Sequence, residues 1–197
     1  YDFLFNEVFN AIESIEGLGF EDFDADYLAM LTEGWGMHAK EVWLPINELG
    51  DKEGLKFENG NILMPQEFKD AYRKGIDEGW LATACKPEHG GMGTPTFFSS
   101  VTWAEFGTSA CMALSVLPAL SIGVYEVLTS NGRQDLVDYF APNLASGFWA
   151  GTMCLTEPHA GTDLGIITTR AEPEDDGTYR ISGTKIFITY GEHDMSE

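Results

Sequence analysis

Two stretches of the chain concentrate residue types that can do chemistry. The first is Met153-Cys-Leu-Thr-Glu-Pro-His-Ala-Gly-Thr-Asp-Leu164. It reads as a short strand ending at Thr156, a Glu-Pro turn, and a loop of small residues with a second hydroxyl at Thr162. Backbone N–H groups freed by such a loop, with two hydroxyls beside them, form a polar rim suited to a planar heterocycle or a phosphate. The same residues also read as a plain strand-to-loop junction with Asx and Thr turns, and the residue types leave both readings open. The second stretch is Ile181-Ser-Gly-Thr-Lys-Ile-Phe-Ile-Thr-Tyr-Gly-Glu-His-Asp194. On an expected strand over 185–189, Phe187 and Thr189 point the same way, which puts an aromatic face beside a hydroxyl. Taken alone, that stretch is one packed aromatic and one edge threonine.

Other chemistries find little support. No G-x-G-x-x-G follows a strand, and no Walker loop or G-x-S-x-G is present. The four histidines, His38, His89, His159 and His193, are not at metal-ligand spacing and there is no C-x-x-C, so no metal site is expected. Gly90-Gly-Met-Gly93 could cradle an anion, but a structural turn is the weightier reading. Three scattered cysteines, Cys85, Cys111 and Cys154, argue against a disulfide framework and fit a reducing compartment. The net charge of −21, with no basic stripe, disfavours a nucleic-acid partner and reads as a solvated acidic surface. At 197 residues, 44% of them hydrophobic, the chain is of globular composition and forms one domain or two small ones. No signal peptide opens it. The start at Tyr1 and the stop at Glu197 without a clear element ending fit a fragment.

The elements that must position these stretches are helices first and strands second. Apolar residues recur at helical spacing over Phe3–Ile15, and again from about Asp24 to Leu49, where Gly34, Gly36 and Pro45 are kink candidates. Pro65 reads as a first-turn proline of a helix through Asp77. The second half of 80–96 is an ordered loop. Apolar helices are expected at about 96–111, 113–131 and 133–145, with Gly132 breaking the last two. Phe106–Tyr125 carries no charge, but its Gly, Ser, Thr and Pro content favours buried helices of a soluble protein over a membrane span. Strands are expected at 151–156, 166–171, 179–182 and 185–189, with Asp175-Asp-Gly177 a turn. This order predicts an α+β fold.

Together the two stretches resemble the acyl-CoA dehydrogenase family. Thr156-Glu-Pro-His-Ala-Gly-Thr-Asp163 is similar to that family's flavin-binding signature T-E-P-x-A-G-S/T-D. Gly183-Thr-Lys-Ile-Phe-Ile-Thr189 is similar to its G-x-K-x-W/F-I-T strand. Asp176-Gly-x-Tyr-x-Ile-x-Gly183 lies between them in the family's order, and Pro87-Glu-x-Gly-Gly-x-Gly93 resembles its P-E-x-G-G-x-G loop. The resemblance covers most of residues 20–194. Within the family, the long N-terminal segment, His159 in place of the usual Gly, and the Gly191-Glu-His-Asp194 ending resemble a bacterial branch that includes 3-methylmercaptopropionyl-CoA dehydrogenases.

The resemblance implies a helical N-terminal domain over 1–147 and the beginning of a middle β-domain over 148–197, with the C-terminal helical bundle absent from this chain. It implies FAD as cofactor and α,β-dehydrogenation of an acyl-CoA thioester. By position, the main chain of Met153 and Leu155 and the hydroxyl of Thr156 face the pyrimidine side of the flavin. Thr189 donates near N5, Phe187 stands against the ring, and Thr162 lies near the pyrophosphate. The family's catalytic base is a Glu, usually in the C-terminal bundle, so no catalytic residue is assigned here, and Glu157 is given a structural role at the turn. The resemblance further implies an electron-transfer flavoprotein as partner, a homodimer or homotetramer, and a cytoplasmic location. The fragment alone is expected to bind FAD weakly and not to turn over. An acyl-CoA oxidase shares these motifs, and a non-catalytic helical binding or scaffold protein is the alternative of a different class.

Overall fold

Helices form where apolar residues repeat every three or four positions, and they end where the backbone cannot continue. The computed structural model describes residues 1–196. A π-helical turn at Leu4–Val8 is separated from α1 (Ala11–Ser14) by Asn10, whose φ of 48° interrupts the single helix expected there. Helix α2 (Ala25–His38) starts on Asp24, whose carboxylate accepts from the Tyr27 N–H at 2.8 Å. Where one helix was expected, the chain runs through α2, a π-helical stretch Ala39–Trp43, and α3 (Leu44–Glu53). The widened turn directly precedes Pro45, which has no N–H for the α-helical ladder.

A hairpin of β1 (Lys56–Glu58) and β2 (Asn61–Leu63) follows, turning through Asn59-Gly60, both at positive φ. The sequence reading did not anticipate it. The Asn-Gly pair is the signal that could have found it, but three-residue strands carry almost no alternation. Helix α4 (Gln66–Asp77) begins directly after Pro65, as the proline predicts.

Four tryptophans form the centre of the helical core. Trp35 and Trp43 are fully buried, and Trp35 stacks on Trp103 with ring centroids 5.1 Å apart and planes 3° from parallel. Trp35 Nε1 donates to the Trp103 carbonyl at 3.1 Å, and Trp103 Nε1 donates to the Trp80 carbonyl at 2.9 Å. The buried His38 stacks against Trp35, and its Nδ1 meets the Glu78 carboxylate at 2.6 Å. Burial pushes the His38 imidazole below its ordinary value, outweighing the Glu78 carboxylate. His38 is therefore a core residue that ties α2 to the end of α4.

The stretch 80–96, with a loop expected in its second half, contains two 3₁₀ turns, Trp80–Ala82 and Pro87–His89. Tyr125 clasps it: its hydroxyl accepts from the Lys86 N–H at 2.9 Å and meets His89 Nδ1 at 2.7 Å. Next come a π-helical stretch Phe97–Trp103, α5 (Ala104–Asn131) and α6 (Gln134–Ala145). The expected break in the apolar run falls at Cys111, whose φ of −154° and ψ of 95° leave the helical region. Phe97–Asn131 is long and apolar enough to cross a membrane by length and composition. It packs against α3 and α6, and burial pushes the Cys85 thiol in the α5–α6 cluster up to about 12, so that cysteine is inert.

The chain divides into two units. The first comprises Tyr1–Gly151 together with the residues from Glu192 onward, which return to α4: the Asp194 carboxylate accepts from the Met64 N–H at 2.8 Å and pairs with Lys69. The second is Thr152–Gly191. It contains a 3₁₀ turn at Leu164–Ile166 and a hairpin of β3 (Arg170–Pro173) and β4 (Tyr179–Ser182).

Three expectations in this second unit are corrected. Residues 151–156 form no ladder, and the strand expected at 166–171 begins only at Arg170. The stretch 185–189 is not a strand: Phe187 has φ of 57°, so its side chain and that of Thr189 do not follow strand alternation. The physical reason is shared. A strand persists only when a neighbour takes up its N–H and C=O groups, and among the described residues only β3 and β4 pair in this unit.

Candidate functional site

The centre of the second unit is a buried carboxylate. Glu157 lies in the turn after Thr156, and its side chain is 1% exposed. One oxygen accepts from the Thr168 N–H and hydroxyl, each at 2.9 Å. The other accepts from the Thr169 N–H at 2.9 Å and from Lys185 Nζ at 3.0 Å. Donors from Thr169, Thr168 and Lys185 hold its carboxyl well below the usual carboxylate range. Such a group is a poor proton acceptor, so the structural role expected for Glu157 follows from its surroundings. The turn is closed by reciprocal bonds between Glu157 and Ala160, both 3.0 Å. Gly183 lies alongside with φ of 159°, where a Cβ would come within 2.1 Å of Thr169 Oγ1, so no other residue fits.

A pH dependence follows from the sign of the shift. A depressed carboxyl contributes stability that is fully present above its unfolded value of about 4.3 and fades as pH falls toward the folded value. Glu157→Gln is therefore expected to lower the thermal midpoint at pH 7, with the gap to wild type closing toward pH 3. A gap that is constant with pH would reject this account.

Around this hub the six residues singled out in sequence take the following places. Thr156 is half-buried; its carbonyl accepts from the Ile186 N–H at 2.9 Å, and the Leu155 carbonyl accepts from Lys185 Nζ at 2.9 Å. Met153, Leu155 and Phe187 are exposed, Phe187 to 85%. Thr189 is exposed, and its carbonyl accepts from the Thr152 hydroxyl. Thr162 is exposed in the loop before the 3₁₀ turn. Among the described residues, no protein group takes up the N–H groups of Met153, Leu155 and Thr156 or the hydroxyls of Thr156, Thr162 and Thr189. Thr156 and residues 185–186 are brought together, but Thr162 sits on a separate loop. This donor set, with an exposed aromatic, fits a planar heterocycle bearing ring acceptors and a pyrophosphate.

Sequence reasoning missed Lys185 as a member of this cluster. The only signal available was the lysine within G-x-K-x-W/F-I-T, because its partners Leu155 and Glu157 are far away in sequence. The glycine loop at 90–93 is resolved as a turn. The N–H groups of Gly90, Gly91, Met92 and Gly93 are spent on the carbonyls of Pro87, Lys86, Ala82 and Cys85. A Cβ at Gly91 would lie 2.1 Å from the Cys85 oxygen. Among the described residues, no group of three or more His, Cys, Asp or Glu side chains could hold a metal ion.

Residues 55–148 match the family model described as acyl-CoA dehydrogenase, N-terminal domain. The chain belongs to the acyl-CoA dehydrogenase family, with an α+β fold in which a helical N-terminal domain precedes the start of a β-domain. It is 40% identical over 178 residues to the 3-methylmercaptopropionyl-CoA dehydrogenase of Ruegeria pomeroyi, covering 90% of this chain and 30% of that protein. Among solved structures, a glutaryl-coenzyme A dehydrogenase glutaryl-CoA complex shares the fold with a TM-score of 0.72 at 22% identity, over 84% of this chain and 40% of that one. An acyl-CoA dehydrogenase complexed with FAD from Bacillus anthracis does so with a TM-score of 0.67 at 22% identity, over 86% of this chain and 27% of that one. The chain thus spans about a third or less of the length of the first curated relatives it matches.

Proposed function

We propose that the protein carrying this chain is an FAD-dependent acyl-CoA dehydrogenase, and that its substrate is a short thioester such as 3-methylmercaptopropionyl-CoA. The observation that carries the reading is the set of unspent donors at Met153, Leu155 and Thr156, held by the Glu157–Lys185 hub. The 40% identity to the Ruegeria enzyme over 90% of this chain supports the substrate.

Bound there, FAD supplies a two-electron acceptor for the hydride leaving Cβ of the thioester. This chain's residues bind and orient it. The N–H groups of Met153, Leu155 and Thr156 and the Thr156 hydroxyl would hold its pyrimidine side, the Thr189 hydroxyl would donate near N5, Phe187 would stand against the ring, and Thr162 would hold the pyrophosphate. Donors aimed where negative charge arrives stabilise the reduced form more than the oxidised one. Glu157 does not take the α-proton, because its lone pairs are occupied and its basicity is suppressed. That proton goes to a carboxylate outside this chain. An electron-transfer flavoprotein as oxidant, a homodimeric or homotetrameric assembly, a place in fatty acid metabolism and a cytoplasmic location belong to the same proposal.

The test is an anaerobic visible spectrum of the full-length gene product before and after addition of acyl-CoA thioesters. A flavin band that bleaches with 3-methylmercaptopropionyl-CoA in preference to straight-chain acyl-CoAs is the expected result. A protein purified without flavin and unable to take up FAD would overturn the reading, and a clear preference for straight chains would overturn the substrate. Bleaching by the substrate with reoxidation mainly by oxygen would identify an oxidase instead.

A further inference from the structure

Lys185 holds the Leu155–Thr156 peptide, which carries the unspent Thr156 N–H. Its side chain is 21% exposed, and its ammonium spans two acceptors: the Leu155 carbonyl at 2.9 Å and Glu157 Oε1 at 3.0 Å. Glu157 is itself held by three donors from Thr168 and Thr169, so the ammonium cannot shift toward the carboxylate without breaking a packed network. His159 Nε2 stands 3.4 Å from the other carboxylate oxygen.

In a trans peptide the C=O and the following N–H point in opposite directions. A cation on the Leu155 oxygen therefore fixes the opposite orientation for the Thr156 N–H. A charged donor on a carbonyl also draws electron density from the whole peptide unit, which makes the N–H at its other end a stronger donor. The next carbonyl, that of Thr156, is taken by the Ile186 N–H at 2.9 Å, so the peptide on each side of the Thr156 Cα is pinned.

We propose that Lys185 is a positioning residue for the flavin site: through the Leu155 carbonyl it orients and polarises the Leu155–Thr156 peptide, so that the Thr156 N–H meets the reduced cofactor as a strengthened donor. The proposal rests on the reading given under Proposed function. It assigns Lys185 no contact with the flavin. A brace that only holds the turn together would protect folding. A polarising cation would in addition raise the affinity for the reduced flavin relative to the oxidised one.

The experiment uses the full-length protein loaded with FAD, as wild type, Lys185→Met and Lys185→Arg. Two quantities are read: the FAD dissociation constant and the two-electron midpoint potential of the bound flavin. Lys185→Met is expected to favour the oxidised over the reduced flavin about tenfold relative to wild type, which is about 30 mV lower in potential for a two-electron couple. Lys185→Arg, which keeps a cation at the carbonyl, is expected to recover most of that shift. Should Lys185→Met not fold, the pair Lys185→Met with Glu157→Gln removes both charges of the ion pair and is read with the same expectation. A methionine variant that binds FAD at the wild-type potential, whatever its thermal stability, would overturn the proposal. Wild-type protein that takes up no FAD would instead overturn the underlying functional reading.

Discussion

Truncating Trp35 to alanine is expected to cost this chain about 3–5 kcal/mol of stability. The residue is fully buried and touches aromatic rings on several sides. It stacks on Trp103 at 5.1 Å, meets Trp43 edge-on at 5.0 Å with planes 88° apart, and stacks on His38 at 5.4 Å. Removing the indole leaves a cavity between rigid rings that cannot collapse into it, and it removes the hydrogen bond from Nε1 to the Trp103 carbonyl. Since small domains hold only about 5–15 kcal/mol in all, the variant stands near the edge of folding. Urea unfolding followed by tryptophan emission reads the loss as a lower midpoint at unchanged slope. A change below about 1 kcal/mol would mean that the tryptophan cluster does not carry the helical core.

The second large effect concerns the flavin donors. Thr156→Val and Thr189→Val each remove one hydroxyl while keeping the branched shape. A hydrogen bond to a charged group contributes about 1.5–3 kcal/mol, against about 1 kcal/mol for a neutral one. If each hydroxyl meets negative charge only in the reduced flavin, each variant lowers the two-electron midpoint by about 30 mV, since 30 mV corresponds to about 1.4 kcal/mol. The double variant is expected to approach the sum where the two sites act independently. Thr162→Val is expected to behave differently: a pyrophosphate contact is equal in both redox states, so FAD binds more weakly at unchanged potential. Unchanged affinity and potential in both Thr156→Val and Thr189→Val would reject the site assignment.

The helical part was legible because its signals are local. The spacing of Leu28, Leu31 and Trp35 predicts one buried face, and those residues are buried in α2. Pro65 and Gly132 mark ends that lie within a residue of the observed ones. The interruption near Cys111 follows from the change in apolar pattern there. The π-helical stretches were not legible, since they depend on how Pro45 and the packed tryptophans share space rather than on residue type. The β1–β2 hairpin escaped because its strands are too short to show a period.

The candidate site was legible as motifs and less so as geometry. Thr156-Glu-Pro and the lysine-bearing stretch were found through family resemblance, while the physical reading of the first remained divided between a binding rim and a turn. Strand alternation failed at Phe187, because alternation describes a paired strand and this stretch has a left-handed residue instead.

What the sequence by itself determined are properties that depend on residue type and near neighbours: the helical segments, the acidic surface, the absence of metal-ligand spacing, and the family. Tertiary structure alone decided which long-range partners meet. It places the Glu157 carboxylate against Thr168, Thr169 and Lys185 and seats Lys185 on the Leu155 carbonyl. The reason is physical. A buried charge or a freed N–H must find a partner, but which partner it finds is set by how distant segments pack, and no spacing along the chain encodes that distance.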